Sequence, residues 1–343
     1  MTKLFKNILI LLSSISLLTV IVIFGILWTF SNNIPDYKFL KNYKPPVSSK
    51  MYSGDGDLVA DFSKEKRIFV PYSAIPSNVI NAFLSAEDKN FFTHPGVDAK
   101  GVIRATFNNI TNIMTSKRLE GASTITQQVA KNFLLTNEVS INRKIKEAIL
   151  AFRIERALNK ERILELYLNQ IYLGSGAYGV AAASLEYFDK SIKELNYAEA
   201  ALLAALPKAP SRYNPYNNID LAKFRRDLVL KNLNQNGFLN LEKYKEYKNQ
   251  SIKLKKKEKI YLEDAQYYIE DVRKNIIDKL TYEKVYKQGY NINTPINLNL
   301  QKIATESLRN GLIAYDQRKG WRGPITNIKY SDNWHLKIEK KYK

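Results

Sequence analysis

Two polar blocks in this chain combine residue types that could move a proton and hold an anion. The first is Glu87-Asp88-Lys89-Asn90-Phe91-Phe92-Thr93-His94-Pro95-Gly96, and the second, a short loop later, is Gly121-Ala122-Ser123-Thr124-Ile125-Thr126-Gln127-Gln128. One supplies carboxylates and a histidine. The other supplies a glycine-opened start rich in hydroxyl and amide groups.

Periodicity places the first carboxylate. Pro76 and Ser77 read as a helix start, and Val79, Ile80, Phe83, Leu84 and Ala86 follow at helical spacing. At roughly 100° per residue, Glu87 falls between Ile80 and Phe83 and continues the apolar face, while Asp88 points away. A carboxylate aimed at the core side has its charged form disfavoured, which lifts its pKa toward the range of a general acid or base. Taken alone, Glu87 could equally end its helix near solvent or pair with His94 or a lysine.

Thr124 and Gln127 have capping-box spacing. Ile125, Val129 and Phe133 then follow as a buried stripe, with Thr124, Gln128 and Lys131 on a different side. The helix start leaves backbone N–H groups and a positive dipole end for an anion. A third helix is expected from Ile141 to Leu158, with Ile141, Ile145, Ala148 and Phe152 on one face and Leu150, Ile154 and Leu158 on another. A helix apolar on two sides should be mostly buried. Arg143, Lys144 and Glu147 share one of its sectors. They form either an ion pair worth a few tenths of a kcal/mol on an exposed helix, or a partly buried carboxylate beside two cations suited to a phosphate-bearing substrate.

These blocks are followed by Lys160-Glu161-Arg162-Ile163-Leu164-Glu165-Leu166-Tyr167-Leu168-Asn169 and Gly176-Ala177-Tyr178-Gly179-Val180. In order and spacing the set resembles the five motifs of the family 51 glycosyltransferases, the peptidoglycan polymerase modules of class A penicillin-binding proteins. The resemblance runs from Met51 to Pro215. It implies a mainly α fold: a lysozyme-like glycosyltransferase domain with a small β-hairpin, preceded by one transmembrane helix. It also implies an inverting transfer between lipid-linked disaccharide-pentapeptides, with lipid II and the nascent glycan strand as partners.

On that resemblance Glu87 stands where the family has the base for the acceptor sugar's 4-hydroxyl, and Asp88 and His94 are its motif neighbours. Thr124, Gln128, Lys131 and Asn132 match groups that hold the donor strand, and Arg143 and Lys144 match those that meet its pyrophosphate. Glu147 matches a second essential glutamate that assists at the leaving group, directly or through a divalent cation. No cofactor is implied as essential, Mg2+ or Mn2+ beside Glu147 being the ion to test. The two-carboxylate logic resembles that of glycosidases, with a sugar hydroxyl in place of water. A lytic transglycosylase is one alternative, opposed by the second carboxylate and by Arg143-Lys144. A catalytically silent scaffold is another, opposed by the intact motifs.

Around these motifs, residues 1–7 read as a cytoplasmic tail and 8–30 as a membrane anchor, since Ile8 to Phe30 is nearly continuously apolar and long enough for roughly 30 Å of hydrocarbon. Lys3 and Lys6 keep the short N-terminus inside. The expectation is a single-pass type II protein of the inner membrane with its bulk in the periplasm. Residues 31–50 are a linker, 51–218 the glycosyltransferase domain opening on a hairpin turned at Gly54-Asp55-Gly56, and 219–290 a connector. Residues 291–343 resemble the shortened start of a penicillin-binding transpeptidase module, without the serine and lysine motifs its chemistry needs. Val102, Ile103, Phe107, Ile110, Ile113 and Met114 read by default as core, and by resemblance as a jaw that dips into the membrane.

The balance of 53 Lys+Arg against 33 Asp+Glu, +20 overall, suits anionic lipid and a pyrophosphate substrate. The runs Lys223-Phe224-Arg225-Arg226 and Lys253-Leu254-Lys255-Lys256-Lys257 are read as solvated faces, because no nucleic-acid motif accompanies them. Membrane lipids and other cell-wall synthesis proteins are the expected partners, and nucleic acid is not. The chain has no cysteine, so disulfides and thiolate metal sites are excluded.

Overall fold

The computed structural model describes residues 34–43, 49–62, 65–115, 121–136, 140–255 and 263–320, with scattered positions in 5–30, at 45 and 138, and in 323–342. Most of the apolar segment 8–30 therefore lies outside the described residues. Its described positions are helical, and among the described residues no helix is long and apolar enough to cross a membrane.

The chain divides into two compact units, one built mainly from residues 63–258 and the other from 49–62 with 259–285 and 289–343. The first unit is almost wholly helical: α1 (Ser77–Glu87), α2 (Ala99–Met114), α3 (Ile125–Leu134), α4 (Ile141–Ala157), α5 (Lys160–Gln170), α6 (Val180–Phe188), α7 (Tyr197–Ala205), α8 (Ile219–Gln235) and α9 (Leu241–Asn249). The centre is α7, an Ala/Leu helix buried all round, which suits a sequence with no polar stripe. Helices α1 and α8 pack against α7, and α3 packs against α4 and α5. Side-chain caps at Asp98, Thr124, Ser140, Asn159, Asn196, Asn218 and Asn240 start seven of these helices where the sequence offers a short polar residue. The expectation of a mainly α fold holds.

Two glycines close the backbone around this core. Gly96 has φ of +104°, and a Cβ there would meet the Ala151 carbonyl of α4 at 2.8 Å. Gly179, at φ +80°, lies so close to the Asn169 carbonyl that a Cβ would sit 2.7 Å from it. Both conformations are ones that glycine alone adopts without penalty.

In the second unit, β1 (Lys50–Tyr52) and β2 (Leu58–Asp61) form the expected antiparallel hairpin. Read from sequence as the opening of the 51–218 domain, the hairpin instead belongs to a three-stranded sheet of order β2-β1-β5, with β5 (Asn291–Asn293) parallel to β1. The short strands β3 (Lys66–Arg67) and β4 (Ala177–Tyr178) pair separately in the first unit. Helices α10 (Gln266–Leu280), α11 (Tyr282–Lys287), α12 (Leu298–Lys319) and α13 (Trp334–Tyr342) follow α9 in the chain.

Helix α8 corrects the boundary drawn at 218. It buries Ala222, Arg226, Val229, Leu230 and Leu233 within the first unit, so it completes that unit and does not begin a connector. Helix α2 corrects the default core reading. Val102, Ile103, Phe107, Ile110, Ile113 and Met114 are all exposed, and only Gly101 and Ala105 of this helix are buried. Helix α4 is likewise buried on one face only, through Glu147, Leu150, Ala151 and Ile154, while Ile141 is 80% exposed and Phe152 is also exposed.

Candidate active site

A cavity of about 300 Å³ opens in the first unit, and Glu87, Gln128, Lys131, Arg143, Lys144 and Glu147 line it, together with Gly121, Ser123, Lys208 and Arg225. Six of the residues singled out from sequence are thus gathered from α1, α3 and α4.

Glu87 ends α1, and its Oε2 accepts a hydrogen bond from Gln128 Nε2 of α3 at 2.8 Å. Part of its side chain faces the cavity, but protein walls the rest. Desolvation is the largest influence on its carboxyl and raises its pKa above the ordinary carboxylate value, against the opposing Gln128 hydrogen bond and the Arg225 and Lys208 charges. The expectation of a core-directed carboxylate with a raised pKa holds, and its partner is an amide, neither His94 nor a lysine.

Glu147 is only 2% exposed and sits among cations. Its Oε1 accepts from Arg143 Nη1, and its Oε2 accepts from Lys144 Nζ at 2.7 Å. Lys144 Nζ also reaches Ser123 Oγ at 2.6 Å, which ties the loop before α3 to the start of α4. The two carboxylates therefore differ in kind. Glu87 is desolvated and neighbours an amide, whereas Glu147 is neutralised within its own helix. Both Glu147 oxygens are committed to Arg143 and Lys144, so a divalent cation at this carboxylate would have to displace one of them.

Asp88 departs from its expected place. It does not point to solvent but is 6% exposed, because it is the C-cap of α1 with φ −159° and ψ 79°, which turns its side chain inward. Its Oδ2 accepts the Ile125 amide at 3.0 Å and lies 3.0 Å from His94 Nε2. His94 Nδ1 accepts the Gly96 amide at 3.1 Å, so the ring proton sits on Nε2 and points to Asp88. The anion expected at the α3 N-terminus is thus the protein's own Asp88 carboxylate. Gln127 N–H is taken by Thr124 Oγ1 in the capping box, and that hydroxyl donates to the Gly96 carbonyl at 2.6 Å. Asp88, His94 and Thr124 fix the loop between α1 and α2 to α3 and do not line the cavity. Asn132 is exposed and stands outside the cavity wall.

The sequence reading missed Lys208, Arg225 and Tyr167. Treating Lys223-Phe224-Arg225-Arg226 as a solvated run is incorrect: Arg226 is 1% exposed and binds the Gln250 and Lys248 carbonyls, and Arg225 faces the cavity. The available signal was the stripe Ala222, Arg226, Val229, Leu230 and Leu233, which has helical period and places Arg225 at its edge. Tyr167 of α5 is buried with no hydrogen-bond partner for its hydroxyl among the described residues, and desolvation, then the charges of Glu87 and Asp88, push its pKa well up.

A helical domain that sets two unlike carboxylates and several cations around one cleft has the site of a sugar-transferring enzyme. The chain belongs to the transglycosylase family, whose profile matches residues 55–234. It is 49% identical over 316 residues to penicillin-binding protein 1A of Rickettsia felis, a match covering 92% of this chain and 40% of that protein. It is 46% identical over 280 residues to penicillin-binding protein 1A of Aquifex aeolicus, covering 82% and 38%. The crystal structure of penicillin-binding protein 1A from Haemophilus influenzae superposes with a TM-score of 0.54 at 26% identity, covering 87% of this chain and 35% of that one. This chain spans about 40% of the length of the Rickettsia felis relative. The family resemblance drawn from the five motifs holds, and the profile extends through α8.

Proposed function

We propose that the protein polymerises lipid II into β-1,4-linked glycan strands with inversion at the anomeric carbon. The observation that carries this reading is the pairing of a desolvated Glu87 with a cation-flanked Glu147 on one cavity. Glu87 takes the proton from the acceptor's 4-hydroxyl as that oxygen bonds to the donor's anomeric carbon. The bond from that carbon to the lipid diphosphate breaks, and the diphosphate leaves with the electron pair. Fixed cations meet the charge that develops there, a role in which preorganised groups are worth most. Arg143 and Lys144 supply them, and Glu147 holds both in place. Lys131, Gln128 and Thr124 belong to the donor side, with Thr124 acting through the backbone it pins.

The setting in this reading is the periplasmic face of the inner membrane, with residues 8–30 as anchor and the first unit, through α8, as the polymerising domain. The exposed apolar face of α2 supports contact with lipid, since contiguous apolar surface of this kind marks interaction sites. Membrane lipids and cell-wall synthesis proteins are the partners of that setting.

The test is purified protein in detergent with labelled lipid II and a gel that resolves glycan chains. A ladder of lengthening strands is expected. Absence of polymer, or release of 1,6-anhydro muropeptides from preformed strands, overturns the reading.

A further inference from the structure

We propose that Arg225 is a further substrate-binding residue of this cavity, holding an oxyanion of the acceptor while Arg143 and Lys144 serve the donor. The proposal rests on the polymerase reading above. Three features of α8 support it.

The first is register. Asn232 Nδ2 donates to the Ser85 carbonyl at 3.0 Å and Asn236 Nδ2 to Ser85 Oγ at 3.1 Å, so α8 is pinned to the last turn of α1, two residues before Glu87. Arg225 lies two helical turns before Asn232 on the same face, which brings it to the cavity wall beside Glu87.

The second is hydrogen-bond accounting. Buried side-chain atoms without a partner among the described residues are Nε of Arg143, Arg162 and Arg225 and the hydroxyl of Tyr167, and of these only Arg143 and Arg225 line the cavity. A buried donor left unsatisfied is costly, and native structures explain most such groups by something that binds there. Arg226, one residue on, shows the contrast: its Nε and both terminal nitrogens are taken by Asp227 and two backbone carbonyls. Arg225 has no carboxylate within ion-pair distance among the described residues, so its planar fork is available to a phosphate or carboxylate.

The third is the division of charge. Arg143 and Lys144 are committed to Glu147, whereas the cations that act on Glu87 are Arg225 and Lys208. The acceptor's hydroxyl must reach Glu87, so the cation beside Glu87 meets the acceptor's own anionic groups, its diphosphate or its peptide carboxylates. The acceptor keeps those groups through the reaction. An interaction equal in ground and transition states changes KM and leaves kcat, whereas a cation at the leaving group changes kcat.

The test uses the full chain in detergent and two lipid II analogues. One carries a phosphonate in place of the scissile glycosyl phosphate and can only accept, and the other lacks the 4-hydroxyl and can only donate. Arg225→Ala is expected to weaken binding of the acceptor-only analogue about tenfold or more, to leave the donor-only analogue within about twofold, and to raise KM with kcat nearly unchanged. Arg225→Lys, which keeps charge and loses Nε, should fall between and serves if the alanine variant does not fold. Removing the peptide stem from the acceptor-only analogue separates the two oxyanions: an Arg225 effect that persists assigns the diphosphate, and one that vanishes assigns the carboxylates. Equal weakening of both analogues, or of neither, overturns the proposal. Failure of the wild-type protein to extend lipid II would instead overturn the polymerase reading.

Discussion

Gln128 Nε2 donates to Glu87 Oε2 at 2.8 Å, across 41 residues of sequence, and this amide holds the one cavity carboxylate that no cation neutralises directly. The bond favours the charged form of Glu87, while desolvation disfavours it and prevails. The same balance governs both activity and stability.

Glu87→Gln removes the proton acceptor with little change of shape. Polymerisation is expected to fall about 10²–10⁴-fold, the contribution of a positioned base, while binding of a moenomycin-type donor mimic survives. Near wild-type polymerisation by this variant would remove Glu87 from the mechanism.

The pH dependence follows from the raised pKa. In the folded state Glu87 holds its proton above the ordinary carboxylate value, so the native protein binds more protons than the unfolded chain between the two pKa values. Stability therefore falls as pH rises through that window and levels off above the folded value. Thermal melts should show Glu87→Gln equal to wild type near pH 4 and more stable at neutral pH, with the gap opening between. A constant gap at every pH would contradict the raised value. Gln128→Ala removes a donor to the charged form, so the acidic limb of the kcat/KM profile should move to higher pH.

Asp88 and His94 are structural in this fold. Asp88→Ala leaves the His94 ring proton and the Ile125 amide without their acceptor, and unsatisfied buried donors cost about 1–3 kcal/mol each. The expected result is a clear drop in melting temperature that exceeds any change in KM, with strong coupling in an Asp88→Ala and His94→Ala double-mutant cycle. Loss of turnover at unchanged stability would return Asp88 to the chemistry.

Tyr167→Phe removes a buried hydroxyl that has no partner among the described residues. Stability is expected to hold or rise by up to about 1 kcal/mol, because the desolvation of that group is no longer required. Urea unfolding measures it, and a loss of more than about 1 kcal/mol would mean the hydroxyl is bonded in solution.

On α2, Phe107→Asp with Ile110→Asp should reduce flotation with anionic liposomes while leaving the melting temperature within a degree or two, because both side chains are exposed. Unchanged flotation would move the membrane contact elsewhere.

Local pattern determined much of this protein. Helical period placed α1, α3 and α4, the capping box at Thr124 and Gln127 started α3, and the order of five motifs named the family and six residues of the cavity wall. These features lie within a turn or two of chain, where the identities of neighbours suffice. Tertiary structure decided what depends on distant partners. Asp88 reads as solvent-facing by angle, but leaving helical geometry at the C-cap turned it inward to an amide 37 residues away. Helix α2 reads as core because its residues are apolar, but periodicity cannot say whether a face meets protein. The hairpin takes β5 as a neighbour, with Tyr290 N–H bonded to Ser49 Oγ across 241 residues, and strand pairing of that range has no local signature. Arg225 looks like one more charge in a basic run. It is a cavity residue only because Asn232 and Asn236 dock α8 on the turn that carries Ser85, a register fixed by packing between helices far apart in the chain.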